Sequence, residues 1–428
     1  MDITVCIRTV GCRTNQADTL EIRRSLVAAG ARMTSSLPEA GIVIINTCAV
    51  TARAERDVRL QLGRARRLAP HAAIAAAGCM TAVAEPALWE RLGVSRVFSN
   101  SQKKDIARWA VETAAGLLPR AGGGEPAVDV CRPPVKVQEG CGMRCTYCIV
   151  PRTRGAERSI APGRVIETIQ TLAEGGALEA VLTGTQLGSW GRDMDPPARI
   201  ADLLRFLLDK KPALRLRLSS IEPWGIDGSL VGMLASRNPR LCPHLHVPLQ
   251  SGSDGILERM GRPYTSGQYA KILDGLVKAD PDLSIGTDIL TGFPGETDED
   301  FMRTIDLLRA LPLSYVHAFS FSRRPGTPAA DMQDPVPART IRERVNLLRE
   351  AGEEKRRLYL SRFLGKTVEV VAESLRCDGG ITGTAAQFFR VIIPPPDARP
   401  ELVGTTLAAV PFAVEGEHVL ARPVGRGE

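Results

Sequence analysis

Short apolar runs alternate with stretches of helical periodicity along most of this chain, and the alternation changes character near its end. Over roughly the first 120 residues the pattern is that of successive strand–helix units. The runs Ile3 to Val10, Gly41 to Ile45 and Ala73 to Ala77 read as strands. Each ends at a turn that carries a cysteine: Gly11-Cys12, Asn46-Thr47-Cys48 and Gly78-Cys79. From about Val135 the same rhythm resumes. Strands are expected at Ala180 to Leu182, Leu214 to Leu218, His244 to Leu249, Ile285 to Leu290 and Tyr315 to Phe321. Helices are expected between them at Arg164 to Glu174, Ile200 to Leu208 and Asp298 to Leu311. Repeated units of this kind predict a parallel sheet or an α/β barrel, with function at the carboxyl ends of the strands. An amphipathic helix from Thr340 to Phe363, with Ile341, Val345 and Leu348 on one face, closes this segment. Beyond about Gly365 the runs Thr367 to Ala372, Phe388 to Ile393 and Leu407 to Phe412 are short and separated by turns, which predicts a small antiparallel β-domain, a barrel.

Length and composition sharpen this picture. A chain of 428 residues is too long for one ordinary core and points to two or three domains. The glycine- and proline-rich stretch Pro119 to Pro126 cannot pack a core, so a linker is placed at 119–134. The expected limits are then 1–118 for an N-terminal α/β domain, 135–363 for the central one and 364–428 for the β-domain. Hydrophobic residues make up 44% and charged residues 24%, with no apolar run long enough to span a membrane and no signal-peptide pattern at the start, so a cytoplasmic protein is expected. The net charge of +7 favours a polyanionic partner weakly. Ten cysteines in a reducing compartment point to metal or nucleophilic chemistry rather than to disulfides.

The densest chemistry is Cys141-Gly-Met-Arg-Cys145-Thr-Tyr-Cys148, three thiols within eight residues of a glycine-containing loop. Three thiolates from one short loop can bind three irons of a cubane cluster and leave the fourth iron without a protein ligand. An open iron can chelate the amino and carboxylate groups of S-adenosylmethionine (SAM), and electron transfer can then split the sulfonium bond to give a 5′-deoxyadenosyl radical. The rival is a zinc site with Cys131 as fourth ligand. Zinc knuckles use paired cysteines, and the spacing here fits them poorly. Inert burial also fits poorly, because Gly, Arg and Thr between the cysteines suggest a loop.

Cys141-x3-Cys145-x2-Cys148 followed by Ile149-Val-Pro-Arg-Thr-Arg-Gly155 resembles the radical SAM core of the methylthiotransferases. The resemblance implies a central radical SAM partial (β/α) barrel, and Tyr147, just before the third cysteine, near the adenine of SAM. It implies a second cluster on Cys12, Cys48 and Cys79, hence two 4Fe–4S clusters. The residues agree: each of the three cysteines follows an expected strand, so a parallel sheet could bring them to one edge. Taken singly, each could equally be a small strand-end residue. Cys6 sits mid-strand and reads as core; Cys131, Cys242 and Cys377 have no partner spacing and read as structural.

Four later segments extend the resemblance: Val181 to Gly191, Leu218 to Pro223, His246 to Gly252 and Gly286 to Glu296. Thr183, Gly184 and Ser219 are the favoured SAM contacts. His244 and His246 could be metal ligands on spacing, but a satisfied core or cofactor-shell role suits them better. Arg53, Arg56, Arg59, Arg64, Arg66 and Arg67 fall on an expected helix after Cys48 and could meet phosphates, or could form an ordinary solvated face. The β-domain resembles the RNA-binding TRAM barrel, with a looser match and an unusually proline-rich Ile392 to Pro396. The implied function is methylthiolation of N6-threonylcarbamoyladenosine at position 37 of tRNA, recognised in the anticodon stem-loop and supported by an electron donor protein. N6-isopentenyladenosine is the runner-up substrate, a ribosomal protein aspartate a more distant one. A non-catalytic zinc and RNA-binding protein is the alternative from another class.

Overall fold

A computed structural model describes residues 3–114 and 131–424. Most of the expected linker, 119–130, lies outside them. Two compact units emerge. One comprises Met1–Asp129, Glu139–Arg158 and Ser322–Ala330; the other comprises Val130–Gln138, Ser159–Phe321 and Asp331–Glu428.

The first unit is built on β1 (Ile3–Thr9), α1 (Arg13–Ala28), β2 (Ala31–Met33), β3 (Ile42–Thr47), α2 (Ala52–Leu68), β4 (Ala73–Gly78), α3 (Pro86–Arg91), β5 (Arg96–Phe98) and α4 (Ile106–Ala114). A short helix, α5 (Val150–Arg154), follows the clustered cysteines. The five strands form one parallel sheet in the order β2-β1-β3-β4-β5. Strand β3 is buried along its whole length, as an unbroken Ile-Val-Ile-Ile run requires when both faces of a sheet are covered. Val43 and Ile45 pack with Val58 and Leu62 of α2 on one face. Ile42 and Ile44 pack with Ile22 and Leu26 of α1 and Ile106 of α4 on the other. The strand order reverses between β1 and β3, and such a switch point opens a crevice at the carboxyl ends of the strands.

In the second unit the elements are β6 (Pro134–Glu139), β7 (Arg158–Ser159), α6 (Pro162–Glu174), β8 (Glu179–Gly184), α7 (Ile200–Asp209), β9 (Arg215–Leu218), α8 (Gly228–Ala235), β10 (His244–His246), α9 (Asp254–Arg259), α10 (Ser266–Ala279), β11 (Ser284–Thr291), α11 (Asp298–Ala310), β12 (Tyr315–Ser320) and α12 (Ala338–Ser361). Parallel pairing runs β6-β8-β9 and β10-β11-β12, and single bridges from Leu216 and Ser220 join β9 to the β10 region. This is the expected partial barrel with helices outside. Strand β10 stops earlier than its apolar run suggests, at His246. Pro248, two residues on, has no N–H to give a ladder. On α12 the apolar face is interrupted by buried Arg344, which pairs with Glu296 at 2.6 Å.

Strands β13 (Val368–Leu375), β14 (Ile381–Ala385), β15 (Arg390–Ile393), β16 (Thr406–Glu415) and β17 (His418–Pro423) complete the unit as a closed barrel in the order β13-β14-β15-β17-β16. It is largely antiparallel, as expected, but β15 and β17 run parallel. Phe363 and Leu360, at the end of α12, pack into its core. A buried ionic knot fastens this barrel to the amino ends of β8 and β9. Glu179 accepts from Arg132 (2.9 Å), Arg215 (2.7 Å) and Arg217 (2.6 Å). Burial would raise the Glu179 pKa, but the three guanidinium groups hold it well below the usual carboxylate range. Arg215 reaches on to Glu369 at 2.7 Å, and Arg217 donates to the Ala385 and Ala386 carbonyls.

Candidate functional site: two cysteine triplets

Strands β1, β3 and β4 are neighbours in the sheet, and their paired ends are level: Thr9 lies opposite Asn46, and Thr47 opposite Gly78. Cys12 is the extended residue just before α1, Cys48 directly follows β3, and Cys79 opens a short 3-10 turn after β4. The three cysteines therefore leave from adjacent carboxyl ends at and beside the switch point. Cys12 is exposed, whereas Cys48 and Cys79 are buried. The strand-end loops are tightly seated. Gly11 has φ +113°, and a Cβ there would fall 2.6 Å from the Cys48 Cβ. Asn15 donates to the carbonyls of Val10 and Thr47, both at 2.8 Å, stitching the first loop to the second.

Burial pushes the Cys48 thiol up to about 11, helped by the nearby Cys12 and Cys79, against a lowering contact from the Val50 backbone and the charge of Arg154. A neutral thiol in a dry niche becomes a thiolate only when a cation compensates it, which suits a metal ligand. Three thiols from separate strand ends, with one side open at Cys12, make a donor set that fits an iron–sulfur cluster. Among the described residues, which include all ten cysteines, no disulfide is formed.

The other triplet hangs on one loop between β6 and α5. Cys141, Cys145 and Cys148 are all half-buried. The Cys148 N–H donates to the Cys145 carbonyl at 3.1 Å, and the Cys141 N–H to the Gly155 carbonyl at 3.1 Å. Gly140 starts the loop at φ +77°, where a Cβ would lie 1.8 Å from the Ala156 carbonyl oxygen. Only glycine passes there. The Ala329 N–H donates to the Thr146 carbonyl at 2.9 Å, so the 322–330 segment braces the loop. These donors also fit a cluster with three protein ligands, and both triplets lie in the same unit.

Two residues that the sequence left without a role tie the triplets together. Arg154, buried at the end of α5, reaches Asn15 (2.5 Å), Asp18 (3.0 Å) and Glu139 (3.0 Å). It thus ties the helix after Cys12 to Glu139, where the chain enters the loop of Cys141. Burial works against its charge, but Cys79, Asp18, Cys12 and Glu139 outweigh that and hold its pKa above the ordinary value. Asn100 donates to the Cys79 sulfur at 3.6 Å and to the Thr153 carbonyl at 2.7 Å. The Arg-Thr-Arg run was visible in the chain, but the Asn15 and Asp18 partners of Arg154 are more than a hundred residues away.

Of the expected SAM contacts, Tyr147 is half-buried in the cysteine loop of the first unit. In the second unit, Thr183 and Gly184 end β8, and Ser219 follows β9 with its N–H on the Leu182 carbonyl. These three share the carboxyl edge of adjacent parallel strands, with Gly184 packed against Gln138. His244 is fully buried against Tyr315, its pKa held well below the usual value by burial. His246 donates to or accepts from Tyr315 at 3.1 Å and lies 2.9 Å from Asp288, which His317 also approaches at 3.3 Å. These last three could hold a metal ion, whereas the spacing of His244 and His246 alone does not make a site. Cys6, Cys131 and Cys242 are buried as expected; Cys377 is exposed in the β13–β14 turn, where it supports no core. All six arginines of the helix after Cys48 lie on the solvent side or edge of α2. Among the described residues no helix is long and apolar enough to cross a membrane.

Comparison with known proteins follows the same division. Residues 4–99 match the model described as Uncharacterized protein family UPF0004, and residues 135–308 match the Radical SAM superfamily. The chain is 36% identical, over 89% of each chain, to the threonylcarbamoyladenosine tRNA methylthiotransferase MtaB of Thermotoga maritima. Against MtaB of Bacillus subtilis it is 34% identical, covering 86% of this chain and 85% of that one. It is 35% identical to the tRNA-2-methylthio-N(6)-dimethylallyladenosine synthase of Syntrophobacter fumaroxidans, covering 77% and 76%. Among solved structures, the radical S-adenosylmethionine methyltransferase TsrM of Kitasatospora setae shares the fold at a TM-score of 0.58 and 16% identity, over 77% of each chain.

Proposed function

The chain belongs to the radical SAM tRNA methylthiotransferases, and on that premise we propose that it converts N6-threonylcarbamoyladenosine beside the tRNA anticodon to its 2-methylthio derivative. As a radical SAM enzyme it uses a 4Fe–4S cluster and SAM. Cys141, Cys145 and Cys148 would hold that cluster, and Cys12, Cys48 and Cys79 a second one. When bound, cluster and SAM supply the one-electron cleavage that makes an unactivated adenine C–H reactive.

The protein's own groups do the rest. The buried Cys48 and Cys79 keep their sulfur atoms out of water, while exposed Cys12 leaves a face through which a base could approach. Arg154 and Asn100 hold the two sets of loops at a fixed separation. Tyr147, Thr183, Gly184 and Ser219 are proposed to orient SAM. The limits 1–118, 135–363 and 364–428 are proposed as the domains, with the closed β-barrel of the last as an RNA grip. tRNA as substrate implies a cytoplasmic enzyme, served by an electron donor protein.

The observation that carries the reading is the presence of two cysteine triplets in one compact unit, one on a loop and one on adjacent strand ends. Nucleoside analysis of tRNA from a deletion strain tests it. Loss of the 2-methylthio group from threonylcarbamoyladenosine alone is expected. Loss from the dimethylallyl nucleoside instead would move the activity to the substrate of the Syntrophobacter relative, and unchanged tRNA would end the proposal.

A further inference from the structure

Between α2, the turn after β4, α3 and the 322–330 segment lies a pocket of about 360 Å³, wholly within the first unit. Its floor includes Ala49, Met80 and Ile149. Each is the residue immediately after a cysteine: Cys48, Cys79 and Cys148. The pocket therefore adjoins both triplets. Its walls are charged. Four arginines, Arg59, Arg91, Arg323 and Arg324, face two glutamates, Glu55 and Glu85. Arg324 is buried and spends its charge on Glu55 at 2.7 Å. Arg59 and Arg91 are exposed around the opening, as is Arg323, which also donates to the Ala330 carbonyl at 2.6 Å, and the three outnumber the remaining Glu85.

The relatives name two kinds of substrate, and the pocket distinguishes them chemically. A dimethylallyl arm is pure hydrocarbon, whereas a threonylcarbamoyl arm ends in a carboxylate and also carries a methyl group. An apolar floor with a cationic opening suits the second. Guanidinium groups bind carboxylates through paired, charge-assisted hydrogen bonds, and a hydrocarbon arm offers them no acceptor.

We propose that this pocket receives the carboxylate-bearing arm of the substrate adenosine, so that Arg59, Arg91 and Arg323 set the preference for N6-threonylcarbamoyladenosine. The inference rests on the function proposed above. A cationic site of this kind could also take a backbone phosphate of the same tRNA, so the test must separate the two sources.

The reconstituted full-length enzyme is titrated with anticodon stem-loops bearing threonylcarbamoyladenosine, dimethylallyladenosine or unmodified adenosine at the target position. The wild type is expected to bind the first about tenfold or more tightly than the unmodified one, the scale of one charge-assisted hydrogen bond. In the double variant Arg59→Leu/Arg91→Leu that preference falls to about twofold or less, with affinity for unmodified RNA retained, and Arg59→Lys/Arg91→Lys restores part of it. Both substitutions are on exposed helix positions, and retained binding of unmodified RNA shows that the variant is folded. An undiminished preference overturns the pocket assignment. An equal loss for all three RNAs also overturns it and assigns the arginines to the backbone. If the wild type itself neither prefers nor methylthiolates the threonylcarbamoyl substrate, the underlying function fails; if it turns that substrate over while the variant keeps the preference, only the pocket fails.

Discussion

The two cysteine triplets each present three thiols, but by opposite means. Cys141, Cys145 and Cys148 come from one loop, whose shape is set locally by Gly140 and by hydrogen bonds to Gly155 and within the loop. Cys12, Cys48 and Cys79 are 67 residues apart from first to last, and only the pairing of β1, β3 and β4 makes them neighbours. The first is a property of sequence spacing, the second of topology. A local triplet tolerates changes elsewhere in the sheet, whereas a dispersed one inherits every weakness of the strands that carry it.

Backbone substitutions should separate them most sharply. Gly140→Ala places a Cβ 1.8 Å from the Ala156 carbonyl at φ +77°, so the loop cannot form as it stands. We expect the variant to lose SAM cleavage entirely while retaining the iron bound at the strand ends, measured by 5′-deoxyadenosine release and metal analysis. Gly11→Ala brings a Cβ against Cys48 and should do the converse, removing iron from the strand-end triplet and sparing SAM cleavage. If both variants lost all iron, the triplets would not be independent.

Arg154→Met is next in size. It leaves Asp18 and Glu139 without the buried guanidinium between them, and breaking one partner of a buried ion pair costs about 3–5 kcal/mol. Chemical denaturation should show that loss, with a parallel fall in methylthio product because both sets of loops lose their tie. A stability change under 1 kcal/mol would show that the bridge is not structural. Asn100→Ala removes two hydrogen bonds, one of them to the Cys79 sulfur, and should cost about 1–3 kcal/mol. Its effect on iron content should fall on the strand-end triplet alone.

The smallest effect concerns pH. Lys103 pairs with Asp18 at 2.5 Å, yet burial, reinforced by Arg154, lowers its pKa below the ordinary 10.5. A lysine whose folded pKa is depressed binds fewer protons folded than unfolded. Its contribution is therefore fullest above 10.5 and declines as pH falls through the folded value. Thermal melts of the metal-free protein across the alkaline range should show wild type gaining on Lys103→Met as pH rises. A wild type that loses ground would reverse the assignment.

Much of this was legible in the chain because it is written locally. The C-x3-C-x2-C spacing marks its own chemistry, and the runs ending at Cys12, Cys48 and Cys79 announce parallel strands with cysteine-bearing carboxyl ends. What escaped depends on contacts over long separations. The β2-β1-β3-β4-β5 order cannot be read from apolar periodicity, so the switch point beside Cys12 and Cys48 was invisible. Arg154 and Arg217 look like ordinary surface charges until Asp18 and Glu179 are found beside them in the interior. Arg344, on a helix read as simply amphipathic, is buried for the same reason. Short β2 and β5 carry only three residues each, too few for a pattern.

The account stands on two separate sets of metal-holding thiols, and iron and sulfide analysis of anaerobically purified wild type, Cys141→Ala and Cys48→Ala tests it most directly. Each variant should lose about half of the wild-type iron, as expected for one of two clusters of equal size. SAM cleavage should vanish only in Cys141→Ala. Full iron retention in either variant, or complete loss in both, would contradict it.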